Sequence, residues 1–324
     1  MENADRPVVQ RLHISPAQAG QRIDNFLLRH LKGVPKSRIY RLLRKGEVRV
    51  NKGRIKPEYR LKTGDQVRIP PVRVSDSAPP AAPDGWTMEA LADAVLYEDE
   101  RLLVINKPAG MAVHGGSGQR YGVIEALRCL RPEAPYLELV HRLDRDTSGC
   151  LMIAKRRSEL RMLHELLRQG GVDKHYLLLA QGDWSRGPHR VSAPLRKNLL
   201  RSGERVVRVD ENGKPALTHF RFLEAYGGAS LMEADLRTGR THQIRVHAAH
   251  AGHPLAGDEK YGDTEFNRIM RKLGLKRLFL HAHSLAFEDR ERGRMIHVSA
   301  PLSEDLRKLI QQLEELPDTW QNPH

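Results

Sequence analysis

Hydrophobic residues along the chain change their spacing at a few places, and each change marks an element. Between 22 and 31, Ile23, Phe26, Leu27 and Leu31 recur at helical spacing. Between 35 and 45, Ile39, Leu42 and Leu43 do the same, with Gly46 as the stop. Val48 and Val50 then alternate with Arg49, an Asn51-Lys52-Gly53 turn follows, and 67–69 is a further short strand behind the Gly64-Asp65 turn. Residues 20–70 therefore read as a small α/β unit behind an N-terminal tail, 1–19. Residues 71–88 hold Pro79, Pro80, Pro83 and many small residues without a period, which is the pattern of a stiff linker.

From 89 to the end the pattern is mixed. Strands are predicted at 102–106, 137–140 and 150–154, and helices at 123–130 and 157–169, the second carrying a Leu160, Leu163, Leu167 stripe and ending at Gly170-Gly171. Strands dominate afterwards, at 175–181, 206–209, 218–225, 231–236, 278–281 and 295–300. A helix from 303 to about 315 closes the chain, with Ser303 suited to its N-cap and Asp305 to its first turn. Neighbouring strands with few helices between them argue an α+β domain on a large, mostly antiparallel sheet.

Composition narrows the partners. The 54 Lys and Arg outnumber the 40 Asp and Glu, for a net charge of +14 and a pI near 10.0, the balance of a protein that meets a polyanion, above all nucleic acid. In the second predicted helix Arg38, Arg41 and Lys45 share one face, with Lys36 and Arg44 nearby, so a phosphate backbone can lie along it; the same charges also suit a solvated helix face. Cys129 and Cys150 form no spaced framework, and 1–7 has no apolar signal core, so a cytoplasmic protein is expected. No apolar run approaches the roughly 18 residues of a membrane helix, and a monomer is expected.

The densest chemistry lies in 140–151, Val-His-Arg-Leu-Asp-Arg-Asp-Thr-Ser-Gly-Cys-Leu, a polar stretch between two strands. Asp144, with Arg142 and Arg145 close in sequence, is expected in a positive field that favours its ionised form, fit for a nucleophile or a base. A plain strand-to-strand turn closed by Asp and Ser would use the same residues. Tyr176, in Lys174-His175-Tyr176, offers a flat ring on a strand and suits a half-buried structural position equally well. In 237–245, Thr241 can cap a helix running to 251, presenting backbone N–H groups beside Arg240 and Arg245 as a phosphate cradle. His242, His247, His250, His253, His281 and His283 lack the spacing of a closed metal site, and 114–118 lacks the Gly-Lys-Ser/Thr ending of a phosphate loop. Neither a metal nor a cofactor is expected.

The 140–151 stretch resembles the H-R-L-D-x-x-T-S-G signature of a family of pseudouridine synthases that modify ribosomal and transfer RNA. The likeness runs over nearly the whole chain and points to a subgroup acting on large-subunit ribosomal RNA, with an S4-type RNA-binding domain at 20–70 and a catalytic domain at 89–324. It implies a mixed-sheet synthase fold with Asp144 as the catalytic carboxylate. Tyr176 matches the tyrosine of a K-x-Y motif that packs on the target base. Residues 239–245 match G-R-x-H-Q-[I/L]-R, which implies Arg245 as the ion-pair partner of Asp144 and Ile244 against the uracil; Arg142 or Arg240 would engage the RNA backbone or fill the gap left by the base, and His242 and His281 would hydrogen-bond RNA or backbone. The implied reaction detaches uracil from ribose, turns it, and rejoins it through carbon. Attack on the ribose, attack on the ring, and removal of a ribose proton are all open to such a carboxylate. A metal-dependent RNA hydrolase built on the histidines and a non-catalytic RNA-binding factor are the competing classes.

Overall fold

The computed structural model describes residues 8–16, 18–31, 33–72, 83–115, 121–187, 189–199 and 205–316. Most of the expected linker and most of the glycine-rich 114–118 segment lie outside them, as does 1–7. The chain divides into two units, Met1–Ala81 and Ala82–His324.

In the first unit, strand β1 (Gln10–His13) precedes helices α1 (Ile23–His30) and α2 (Lys36–Lys45) and strands β2 (Arg49–Val50), β3 (Gly53–Arg54) and β4 (Gln66–Ile69). The sheet is antiparallel in the order β1-β4-β2-β3. Residues 1–19, expected as a tail, thus contain a strand: Gln10–His13 pairs with β4 from Gln10↔Ile69 to His13↔Gln66. Only Leu12 of β1 packs against the core, so no alternation announces the strand. Ile23, Phe26 and Leu27 of α1 pack with Ile39, Leu42 and Leu43 of α2 as their spacing requires. Asp24, buried, clamps the pair, accepting from Arg22 Nε and Nη2 at 3.1 and 2.7 Å and from the Tyr40 hydroxyl at 2.8 Å. Gly46 ends α2 in the left-handed region at φ 70°, and Arg54 Nη2 donates to the free Lys45 carbonyl. Lys36, Arg41, Arg44 and Lys45 are exposed and Arg38 is half-buried, so α2 does present a basic surface.

The second unit begins with α3 (Gly85–Ala92), β5 (Val95–Glu98), β6 (Leu102–Lys107), α4 (Val123–Leu130), β7 (Glu138–Leu139), β8 (Ser148–Ala154), α5 (Arg157–Gln169) and β9 (Val172–Gln181). It continues through β10 (Arg190–Ser192), β11 (Leu195–Leu199), β12 (Arg205–Val209), β13 (Leu217–Tyr226), β14 (Ala229–Leu236), α6 (Gln243–His250), α7 (Thr264–Lys272), β15 (Leu280–Asp289), β16 (Arg294–Ser299) and α8 (Glu304–Glu314). The main sheet runs β10-β13-β14-β9-β15-β8-β6-β5, with β16 on β15 and β7 on β8. The expected α+β fold on a large, mixed, mostly antiparallel sheet is present: among these pairs only β8 with β15 is parallel, at His281↔Ser148 and Ala282↔Gly149.

That parallel contact lasts two residues before β16 takes over the same edge of β15. The sheet is split there, and the split opens beside the start of β8. Every residue of β8 is buried, as its apolar run demands. Gly149 has φ 106°, and a Cβ there would run into the Ala282 carbonyl oxygen, so glycine is required for β8 and β15 to meet.

Several elements escaped the periodicity. Helix α3 starts inside the expected linker because Asp84 caps it, accepting from Thr87 N at 2.8 Å. Strands β5, β10 and β11 are short, and α7 was missed. Ser303 stands at the N-cap of α8 but makes no cap bond; its hydroxyl accepts from Arg277 Nη2 at 2.6 Å instead.

A chain beginning at residue 82 should therefore melt as a cooperative fold, bind RNA more weakly than the full chain, and show a shallower salt dependence. Beginning at residue 86 removes the Asp84 cap as well and should cost about 1 kcal/mol more. Denaturant melts and salt-series binding check both; an unchanged salt slope would exclude the first unit as an RNA anchor.

Candidate active site

The loop carrying Asp144 leaves β7 and enters β8, and both ends are fastened. Val140 N donates to Met152 O at 3.0 Å, Met152 N donates to His141 Nε2 at 3.1 Å, and the His164 ring bonds Val140 O at 2.9 Å. Burial of the ring, with the Lys174 charge nearby, pulls His141 down to about 4, so it is neutral and its Nε2 is free to accept. At the other end Thr147 N closes a turn on Asp144 O at 3.2 Å. The Ser148 hydroxyl bonds His281 Nδ1 at 2.9 Å while His281 Nε2 bonds Ala300 O at 3.1 Å, and burial lowers His281 to about 4.

Among the described residues neither Arg142 nor Arg145 forms an ion pair with Asp144. Both are exposed, and Arg145 pairs with Asp146 at 3.0 Å. The cation at Asp144 comes from α6, where Arg245 Nη1 lies 3.7 Å from Oδ2, while the ring of His242, whose pKa burial lowers, brings Nε2 to 3.8 Å from Oδ1. Arg245 in turn is gripped by Asp258, with Nε–Oδ2 at 2.7 Å and Nη2–Oδ1 at 2.6 Å, and both side chains are buried. Its guanidinium also lies over the Tyr261 ring, 5.0 Å from the centroid.

Thr241 is not the cap of α6. The N-cap is His242, held at φ 53°, a strained conformation for a residue with a Cβ. Its Nδ1 bonds the Tyr261 hydroxyl at 2.7 Å. The turn before it is closed by Gln243, whose Oε1 accepts from Thr238 Oγ1 and Arg240 N at 2.7 and 3.0 Å and whose Nε2 donates to Leu217 O at 2.9 Å. The first helical N–H is itself spent on Arg240 O at 3.2 Å, so the expected backbone phosphate cradle is partly filled. Arg240 is exposed and bonds Pro215 O at 3.1 Å, away from the buried Arg245.

Tyr176 lies on β9 between Ala234 of β14 and Ala282 of β15, and these small neighbours leave its ring room. Burial, with Asp144 nearby, raises its hydroxyl pKa, so the phenol keeps its proton. A cavity of about 520 Å³ opens here, and Asp144, Tyr176, Ile244, Arg245, Arg142, Arg240 and His242 all line it. The basic residues of α2 belong to the first unit. The histidines have separate partners: His247 bonds Thr218 Oγ1 and Ala193 O, and His253 bonds Gln181 O. Among the described residues no group of three or more His, Cys, Asp or Glu could hold a metal.

Comparison with known proteins accords with this geometry. The RNA pseudouridylate synthase family matches residues 101–250, and the S4 domain family matches 21–67. The ribosomal large subunit pseudouridine synthase C of Escherichia coli K12 is 57% identical over 95% of this chain and 98% of its own. The chain belongs to the RNA pseudouridylate synthase family. The synthase of the same description from Pasteurella multocida is 57% identical over 97% of both chains. Among solved structures, human RNA pseudouridylate synthase domain containing 4 superposes with TM-score 0.59 at 27% identity, covering 71% of this chain and 97% of that one. Human RNA pseudouridylate synthase domain containing 1 gives 0.54 at 26%, covering 75% and 99%.

This synthase places several site residues that the sequence pattern did not single out. Asp258 and Tyr261 sit in a turn bounded by Gly257 and Gly262, which was the available signal. Lys107, at the end of β6, is fully buried and donates to Pro108 O, Met111 O and Arg145 O at 2.8, 2.8 and 3.0 Å. It thereby ties the Asp144 loop to the neighbouring strand. Three carbonyls need three N–H donors, which only the ammonium supplies, while burial draws the group down to about 7.

That shift fixes the sign of a pH effect. The folded pKa of Lys107 is about 7 against 10.5 for the ordinary side chain, so the unfolded chain binds the proton more tightly. The resulting cost to the folded state is full below the lower value and fades as pH rises through the window. Stability of the wild type relative to Lys107→Met should rise between about pH 7 and pH 10 in denaturant melts; a flat or falling difference contradicts a buried ammonium.

Proposed function

We propose that this synthase isomerises specific uridines of large-subunit ribosomal RNA to pseudouridine, with Asp144 as its catalytic carboxylate. The observation that carries the reading is the placement of Asp144 between a buried, fixed guanidinium and the cavity that contains the Tyr176 ring. The substrate is supported by the names of relatives 57% identical over almost the whole chain, by the S4 match and by the net charge of +14.

The target uridine leaves its stack at a cost of roughly a few kcal/mol, least in an unpaired or mismatched context. Tyr176 packs on the flipped base and Ile244 walls it. Arg245, immobilised by Asp258, orients Asp144 toward the sugar or ring. Exposed Arg142 and Arg240 at the rim meet the backbone or fill the gap left by the base, and His242 lines the floor beside Asp144. The glycosidic bond breaks at N1, the uracil turns, C5 bonds to C1′, and the proton released from C5 is balanced by the one gained at N1. Reactant and product are isomers and nothing is oxidised, transferred in or hydrolysed, so a single carboxylate with no metal and no cofactor can suffice. The first unit, through Lys36, Arg38, Arg41, Arg44 and Lys45, anchors the RNA. We read the protein as a cytoplasmic monomer with two free cysteines.

Asp144→Asn keeps the shape of the side chain and removes its charge. It should leave melting and RNA binding near wild type and reduce pseudouridine formation at least about 1,000-fold. Residual turnover within tenfold of wild type, with mass spectrometry excluding reversion to Asp, would remove Asp144 from the chemistry. Exhaustive chelation should leave wild-type turnover intact; a loss restored by a divalent ion would favour a metal-dependent reaction instead.

A further inference from the structure

Two cavities meet at Asp144. The second, of about 670 Å³, opens toward α7 and the segment leading into β15, and it shares Arg142, Asp144, His242 and Arg245 with the first. Both are lined by cations, and they differ in their aromatic content. The first contains the Tyr176 ring with Leu236, Ile244 and Leu280, and also Arg168, Lys174, Arg237 and Arg240. The second has no Phe, Tyr or Trp in its lining and gathers Lys260, Arg271, Lys276 and Arg277, with Asp146 and Glu259 among them. Bases stack on flat apolar faces, whereas phosphates need cations.

Not all of these cations are available. Arg277 is held by Asp305 at 2.7 Å and by Ser303 at 2.6 Å, and Arg271 pairs with Glu259 at 3.0 Å. Lys276 is exposed, and among the described residues its ammonium forms neither an ion pair nor a hydrogen bond. A lysine without a partner on the wall of a cavity that ends at the catalytic carboxylate is placed to meet an anion of the substrate.

We propose that the second cavity is a backbone subsite for the same RNA: with the target base in the Tyr176 cavity and its ribose at Asp144, an adjoining phosphate lies along the second cavity and is met by Lys276. This rests on the assignment of the Tyr176 cavity to the base. It divides the nucleotide between them, base into the cavity that holds the aromatic ring and backbone into the one that holds the unpaired lysine.

Binding of a large-subunit RNA transcript by the full chain, followed over a salt series, tests it. Lys276→Ala should reduce the slope of log affinity against log salt by about 0.7, the contribution of one single-strand phosphate, and Lys276→Arg should restore it. Lys308→Ala, which removes the same charge from the exposed face of α8, should leave the slope unchanged. A wild-type slope for Lys276→Ala, or an equal loss in Lys308→Ala, would overturn the subsite. Binding is read without turnover, so a wild-type chain that makes no pseudouridine while Lys276→Ala still loses the slope would count against the catalytic reading and not against the subsite.

Discussion

Arg245 has to be shared between two carboxylates, and the site follows from that constraint. A guanidinium buried this deeply is tolerable only with its donors satisfied, and Asp258, with a fully buried side chain, does so in a two-bond grip at 2.6 and 2.7 Å. The grip uses Nε and Nη2, which leaves Nη1 facing Asp144 at 3.7 Å. At that separation the attraction is on the order of 4 kcal/mol for an effective dielectric near 20, enough to orient a carboxylate without a direct hydrogen bond that would cover its oxygens. Removing one partner of such a buried pair typically costs about 3–5 kcal/mol, so the catalytic geometry and the local stability are coupled through Asp258. Tyr261 links them further, lying under Arg245 and bonding His242.

The sheet gives that pair something rigid to face. Because β8 and β15 touch in parallel over only two residues, the sheet parts at the point where the Asp144 loop enters, and the loop is fastened from both sides by His141 and Lys107. Gly149 allows the contact and the alanines beside Tyr176 keep a space for a flat ring. The loop is fixed by backbone hydrogen bonds to neutral or buried groups, so exposed arginines at the rim remain available to RNA.

Local signals carried much of this. The apolar periods of α1, α2, α5 and most of the long strands were legible because each buries one face, and the density of charge in 140–147 marked the loop. Contacts made across long sequence distances were not legible. Asp258 meets Arg245 thirteen residues away, and Lys107 reaches Arg145 across thirty-eight; in sequence each is an ordinary polar residue at the edge of an element. The cap of α6 was misplaced for a related reason: Thr241 has the right chemistry, yet Tyr261 holds His242 in the left-handed conformation and Gln243 closes the turn with its side chain. Strand β1 was missed because pairing with β4, and not alternation, makes it a strand. Arg142 and Arg145 show the opposite case: they are near Asp144 in sequence, whereas the arginine within ion-pair distance of it comes from α6.

Isomerisation has one signature that neither hydrolysis nor simple binding shares: the RNA changes its base linkage without changing its mass. The direct measurement is to incubate unmodified large-subunit ribosomal RNA with the purified full chain and map pseudouridine by chemical labelling, alongside the intact mass of the fragments. The account predicts near-complete conversion at a few discrete uridines, with fragment masses unchanged before labelling. Strand cleavage, loss of uracil, or stable binding without any pseudouridine would contradict it.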